Sequence, residues 1–214
     1  MKRLLWLAAT LLVTTAGVAF GADLPRVSYT KSFPGSDPAY MGITVDRDGA
    51  VTYREAKDED PEAFKLEADA VQAIFDLAEK LDHFKRQLES GLKVARTGDK
   101  TFRWENGGEA SEAKFNYSTD ENARTLQDWF ERISESERAM MNLRRAIRFD
   151  KLGVNDAVLR VDTAWSQKRL VGREQFLPLL DRIAKNESFI NLARERAARL
   201  ADAMRAYSAR IAVE

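Results

Sequence analysis

Tyr40-Met41-Gly42-Ile43-Thr44-Val45-Asp46-Arg47-Asp48-Gly49-Ala50-Val51-Thr52-Tyr53-Arg54 is a β-hairpin in sequence form. Apolar residues alternate with polar ones on both sides of Asp46-Arg47-Asp48-Gly49, and Asp-Gly supplies the turn. A hairpin with one apolar face needs further strands and a cover. Upstream, Arg26 to Phe33 reads as an opening strand, broken by the loop Pro34-Gly35-Ser36-Asp37-Pro38. Downstream, the acidic run Lys57-Asp58-Glu59-Asp60-Pro61-Glu62 is a loop. From Glu67 to Leu88, Val71, Ile74, Phe75, Ala78 and Leu81 recur at three- and four-residue steps, the stripe of an amphipathic helix, and Gly91 ends it.

Two more strand signals follow, Leu92 to Arg96 and Thr101-Phe102-Arg103-Trp104, joined around Gly98-Asp99. After Asn106-Gly107-Gly108, the alternation Ala113, Phe115, Tyr117 marks a further strand. Ser118-Thr119-Asp120-Glu121 fits a capping box, with Ser118 and Glu121 closing the helix start. The helix it opens carries Leu126, Trp129, Phe130 and Ile133 on one face. Residues 42–54 also align without gaps against 91–103, with six of 13 columns identical. A duplicated unit of hairpin, short strand and helix would explain that, and so would two hairpins sharing turn chemistry. Either way the expectation for residues 22–135 is an α+β fold: an antiparallel sheet covered on one face by two helices.

From residue 134 the strand signals stop. Ser134-Glu135-Ser136-Glu137 offers another helix cap, with Met140, Met141, Leu143 and Ile147 behind it. Gly153 fits a helix end, and Asn155 a new start with Val158, Val161, Asp162 and Trp165. Phe176, Leu179, Leu180 and Ile183 form a short helix with Pro178 in its first turn, where proline is tolerated. Asn186 is the expected cap of a long last helix striped by Phe189, Ala193, Arg196, Leu200, Ala203 and Tyr207. Residues 136–214 are therefore expected to be an all-helical annex whose stripes need a partner surface.

The chain opens with Lys2 and Arg3, an apolar run from Leu4 to Val13, and Ala19-Phe20-Gly21. Charge, apolar core and small-x-small exit in that order describe a signal peptide over residues 1–21, cleaved before Ala22. The run is shorter than the roughly 20 apolar residues of a membrane span. A lipoprotein needs a cysteine after the signal, and the chain has no cysteine at all. The expectation is a periplasmic or secreted soluble protein with no stable membrane span. Thiol nucleophiles, redox pairs and thiolate metal sites disappear with the cysteines. Charge is uneven along the chain: residues 22–136 hold 16 basic and 24 acidic residues, and residues 137–214 hold 16 and 10. The two parts facing each other would account for this, as would a charged partner.

No motif brings chemistry with it. His83, the single histidine, falls among charges beside Glu79 and Arg86, where a triad base would need a nucleophile and an acid nearby. One histidine without cysteine cannot build a zinc hydrolase site. Ser28-Tyr29-Thr30-Lys31 matches Ser-x-x-Lys but lies in a strand, and the partner motifs of that chemistry are missing. Asp46-Arg47-Asp48-Gly49 resembles the start of a calcium loop but lacks the distal ligands. Phe102, Trp104, Phe115 and Tyr117 would form a ligand platform on an open sheet face, or core under a helix. The basic annex lacks the aromatic interleaving of a single-strand nucleic-acid binder. No catalytic, cofactor-binding or metal residue is assigned.

Phe33-Pro34-Gly35-Ser36-Asp37-Pro38-Ala39-Tyr40, followed by Ile43 to Tyr53, resembles small exported bacterial α+β domains of unknown function. In those, a Pro-x-Tyr strand leads into an Asp-Gly hairpin and then a helix. The likeness spans residues 28 to 105, departs in lacking cysteines before that strand, and implies a fold and a compartment. The functional expectation is a non-enzymatic binding or interaction protein of the cell envelope, with a protein partner or self-association and no nucleic acid. Its rivals are a carboxylate hydrolase with a site between the two parts, and a periplasmic chaperone or inhibitor.

Overall fold

The structure is a computed structural model that describes residues 24–211. The expected signal peptide, residues 1–21, lies outside the described residues. Six strands form one antiparallel sheet: β1 (Arg26–Ser32), β2 (Tyr40–Asp46), β3 (Ala50–Arg54), β4 (Glu62–Lys65), β5 (Asp99–Asn106) and β6 (Glu109–Phe115), in the order β4-β3-β2-β1-β5-β6. Five α-helices accompany them: α1 (Ala68–Lys80), α2 (Glu121–Phe149), α3 (Val154–Ser166), α4 (Leu177–Lys185) and α5 (Asn191–Ile211). The fold is α+β with a helical C-terminal region.

The alternation works as the hairpin implies. Tyr29 pairs with Ile43 on one side and Phe102 on the other, Phe102 with Ala113, and Val51 with Phe64, so these side chains share one face. That face is the core under α1 and the first half of α2. Phe130 of α2 stacks on Tyr29 at 5.1 Å, and Phe84 and Phe115 lie 5.2 and 5.0 Å from Phe102. The opposite face is polar, with Ser28 bonded to Thr44 and Arg103 paired with Glu105 and Glu112. One dry and one wet face is usual for an antiparallel sheet. The aromatic platform is thus core: Phe102 and Phe115 are buried and Trp104 is partly covered.

The Asp-Gly turn explains its own acids. Asp46 is buried, and its Oδ1 accepts from the backbone N–H groups of Asp48 and Ala50 at 3.0 and 2.8 Å. Gly49 has φ +83°, and an added Cβ would stand 3.0 Å from the Leu66 carbonyl oxygen, so glycine is needed there. Ser28 and Lys31 lie on β1, an interior strand, with the Ser28 hydroxyl taken by Thr44.

Several local expectations are corrected. Residues 91–98 are loop, so 91–103 is no second hairpin and the duplication is not reproduced. Both edges of β5 are occupied by β1 and β6, and the loop is tied instead to Asn116, whose side chain accepts from Thr97 N–H and donates to the Ala95 carbonyl. The strand Glu62–Lys65 replaces the end of the acidic loop, because Phe64 fits the core opposite Val51. α1 stops at Lys80, eight residues before Leu88. Asp82, His83 and Phe84 then turn left-handed (φ 52°, 49° and 64°), which drives Phe84 into the core and lays the His83 ring 4.3 Å from Trp104. Asp120, not Ser118, caps α2, with its Oδ1 accepting from Ala123 N–H.

The largest correction concerns Ser134 to Glu137. No helix starts there. α2 runs unbroken through 29 residues, about 43 Å at 1.5 Å per residue, across the expected boundary at 135/136. Up to Ile133 its buried residues belong to the sheet core, and from Met140 to the core of the helical region. In α5 the buried stripe is Ala193, Ala197, Leu200, Ala201 and Met204, which leaves Ala203 and Tyr207 exposed, and the helix begins at Asn191 rather than after Asn186. Asn186 instead closes the turn, its Oδ1 accepting from Ser188 N–H. Gly153 precedes α3 directly, and Pro178 sits in the first turn of α4 as expected.

Candidate functional site

The residues that mimic a helix cap are a buried polar seam. Ser134, Ser136 and Glu137 are each 6% exposed or less. Tyr53 donates its single proton to Glu55 at 2.7 Å, so the Ser134 hydroxyl, 3.1 Å away, donates to the Tyr53 oxygen. The Ser136 hydroxyl accepts from Val171 N–H at 3.0 Å. Glu137 accepts from the Gln175 amide, and burial pushes its pKa up to about 7. On α1's threshold, Glu67 accepts from the N–H groups of Gly172 and Arg173 at 3.0 and 2.6 Å. Together these bonds clamp the segment after α3 between the sheet layer and the helices. Gly172, at φ +62°, lies so close to Phe64 that a Cβ would stand 3.1 Å from its ring.

Charge reinforces the seam. Arg138 pairs with Asp37 and Glu55, Arg144 with Glu62, Arg169 with Asp128 and Glu135, and Arg173 with Glu67. Each arginine comes from the basic part and each acid from the acidic part. Part of the charge asymmetry is therefore the two parts facing each other.

Beside the clamp opens a cleft of about 390 Å³. Glu67, Asp69 and Ala70 of the α1 start form one side, Trp129 and Arg132 of α2 another, and Trp165, Lys168, Leu170, Val171, Arg173 and Tyr207 the rest. The Trp165 and Tyr207 rings meet edge to face at 5.4 Å and 88°. Aromatic walls with a few polar groups are the usual make-up of a small-molecule site.

Within this lining most charges are already committed. Glu67 holds two backbone N–H groups and the Arg173 guanidinium at 3.4 Å. Asp69 accepts from Ala70 N–H at 3.0 Å. Arg173 also donates to Ser208 and lies over the Tyr207 ring at 5.0 Å. Arg132 differs. Its guanidinium lies 4.0 Å from the Trp129 ring centre, forms no hydrogen bond or ion pair among the described residues, and its Nε is buried without a partner. Burial, helped by Arg169, lowers its pKa; Asp128, Glu135 and Asp69 oppose that through space, and arginine stays charged regardless. A half-buried cation beside an aromatic wall, with a buried Nε donor unused, has the chemistry to receive an anion.

Lys168 is another cation of the lining. It stands just beyond the end of α3 with φ 57°, the left-handed position where glycine normally closes a helix. Lysine there is disfavoured by about 1 kcal/mol, yet its side chain lines the cleft. Lys168→Gly is expected to raise unfolding stability by about 1 kcal/mol while weakening anion binding, checked by urea titration and calorimetry on one preparation.

His83 lines none of this, and among the described residues no group of three or more His, Asp or Glu is placed to hold a metal ion. Trp129 and Trp165 were legible only as helix stripes. Arg132, three residues after Trp129 and next to the core residue Ile133, carries no motif; its place on the shoulder of a buried stripe is the only signal. No family model matches the chain, and no curated protein is similar to it.

Proposed function

We propose that this is an exported, non-enzymatic binding protein of the cell envelope, whose seam cleft holds a ligand with a planar apolar body and one anionic group. The observation that carries this reading is the Arg132 guanidinium, without a hydrogen-bond or ion-pair partner among the described residues, in a cleft that Trp129, Trp165 and Tyr207 also line. The compartment rests on the signal pattern in residues 1–21 and on the resemblance of residues 28 to 105 to exported bacterial domains. Binding without turnover rests on the carboxylates. A hydrolase between the two parts needs a pair free to act, whereas Glu67 and Asp69 are occupied by backbone N–H groups. Glu137, with a pKa suited to acid–base work, is 1% exposed and does not line the cleft.

Indoleacetate and its neutral isostere indoleacetamide test the reading, because they share a body and differ in charge. A charge-assisted hydrogen bond is worth about 1.5–3 kcal/mol, roughly ten- to a hundredfold in affinity. Calorimetric titration is expected to show the acid binding at least tenfold more tightly than the amide. Equal affinities would remove the assigned role of Arg132.

A further inference from the structure

The helical region has a second end, away from the cleft, and its side chains suit a different kind of partner. α3 and α5 run parallel: Asn155 accepts from Arg196, Asp162 from Arg199, and Trp165 meets Tyr207. α2 leads back into α3 through a short turn, and α4 runs antiparallel to α5, with Ala184 bonded to Arg194 and Asp181 to Arg205. The turns 150–153 and 186–190 therefore lie at one end of the bundle. The cleft residues Trp165, Arg173 and Tyr207 lie at the other.

That far end is both apolar and basic. Phe149, Leu152, Ile190 and Leu192 are 73, 81, 45 and 53% exposed, half of the large apolar side chains so exposed among the described residues. Around them, Arg145, Arg148, Lys151, Arg182 and Lys185 are exposed and form no ion pair with a described residue. Asp150 is occupied by Gly153 N–H. Within 144–156 and 182–195 there are seven basic and four acidic residues. Two helix N-termini and two C-termini meet here, so their dipoles offset and the side chains set the sign.

From this juxtaposition we infer that the far end of the helical bundle docks on an anionic phospholipid surface, with Phe149 and Leu152 entering the interface and the five cations meeting headgroups. No described helix is long and apolar enough to cross a membrane, and exposed apolar turn tips ringed by cations suit a peripheral contact. A second copy of the chain fits the patch poorly, since it would set the same unpaired cations against each other. A lipid headgroup layer offers the complementary charge, and projecting turn tips suit insertion.

Vesicle co-sedimentation tests this with the processed chain purified from the expressing cell, using phosphatidylglycerol–phosphatidylcholine vesicles and pure phosphatidylcholine vesicles. The wild type is expected to sediment with the anionic vesicles only, and less so as salt is raised. The double variant Phe149→Ser, Leu152→Ser is expected to lose at least tenfold in partitioning. Arg148→Gln and Lys151→Gln are each expected to lose about fivefold, from the usual contribution of one cation near an anionic surface. All four positions are exposed, so unchanged urea midpoints establish that the variants are folded. Absence of binding to anionic vesicles would overturn the inference. So would binding that the variants leave intact, or a dimer that dissolves in the apolar variant while vesicles are ignored. Indoleacetate binding is unaffected in every case, since the cleft lies at the opposite end.

Discussion

Between pH 4.5 and about 7 the folded protein is expected to lose about 3 kcal/mol of stability through Glu137 alone. Burial raises its pKa from the ordinary 4.5 to about 7, with the Gln175 amide and Arg144 pulling only partly the other way. In that window the folded state keeps a proton that the unfolded chain has released. The stabilising contribution is complete below 4.5, declines as pH rises through the folded value, and is gone above it. Glu89, Glu112 and Asp181 are shifted downward and act below this window, so they do not mask the slope. Glu137→Gln keeps an acceptor for Gln175 and carries no titrating proton. Its urea midpoint should therefore be flat across the window and exceed that of the wild type above pH 7. A wild-type profile without this decline, or a variant that keeps it, would show that Glu137 is not the group responsible.

The other large effect lies in the sheet core. Phe130→Ala is expected to destabilise by about 3–5 kcal/mol, the usual range for emptying a fully buried phenylalanine site. The ring has no exposed surface, stacks on Tyr29 at 5.1 Å and stands 6.1 Å from Phe102, so its removal opens a gap between the sheet and α2. Phe149→Ala is the matched control: the same residue type on the same helix, 73% exposed. It should shift stability by no more than about 0.5 kcal/mol. Equal losses at the two positions would contradict the division of α2 into a core half and a projecting end.

These contrasts also mark how far the sequence could be read. Alternation around Asp46–Gly49 leads to the hairpin because strand period and turn chemistry are both local, and the α1 stripe follows for the same reason. Ser134 to Glu137 misleads because its spacing is that of a helix cap, while its partners Tyr53, Val171 and Gln175 are distant in sequence. Leu92 to Arg96 has strand composition, but β5, the strand it would pair with as a hairpin, is already paired on both sides. The left-handed turn at Asp82 to Phe84 is set by the burial of Phe84, which no local propensity announces. The cleft was the least legible part. Its walls come from α1, α2, α3 and α5, and the segment after α3, clamped onto the seam, completes them.

The calorimetric affinity of Arg132→Met for indoleacetate, beside that of the wild type, tests the anion-binding role of the cleft most directly. The variant keeps an unbranched apolar side chain beside Trp129 and loses the charge. Binding of the acid should weaken at least tenfold while binding of indoleacetamide stays as it was. An acid affinity untouched by the substitution would mean that this guanidinium receives no anion, and that the cleft is not the binding site.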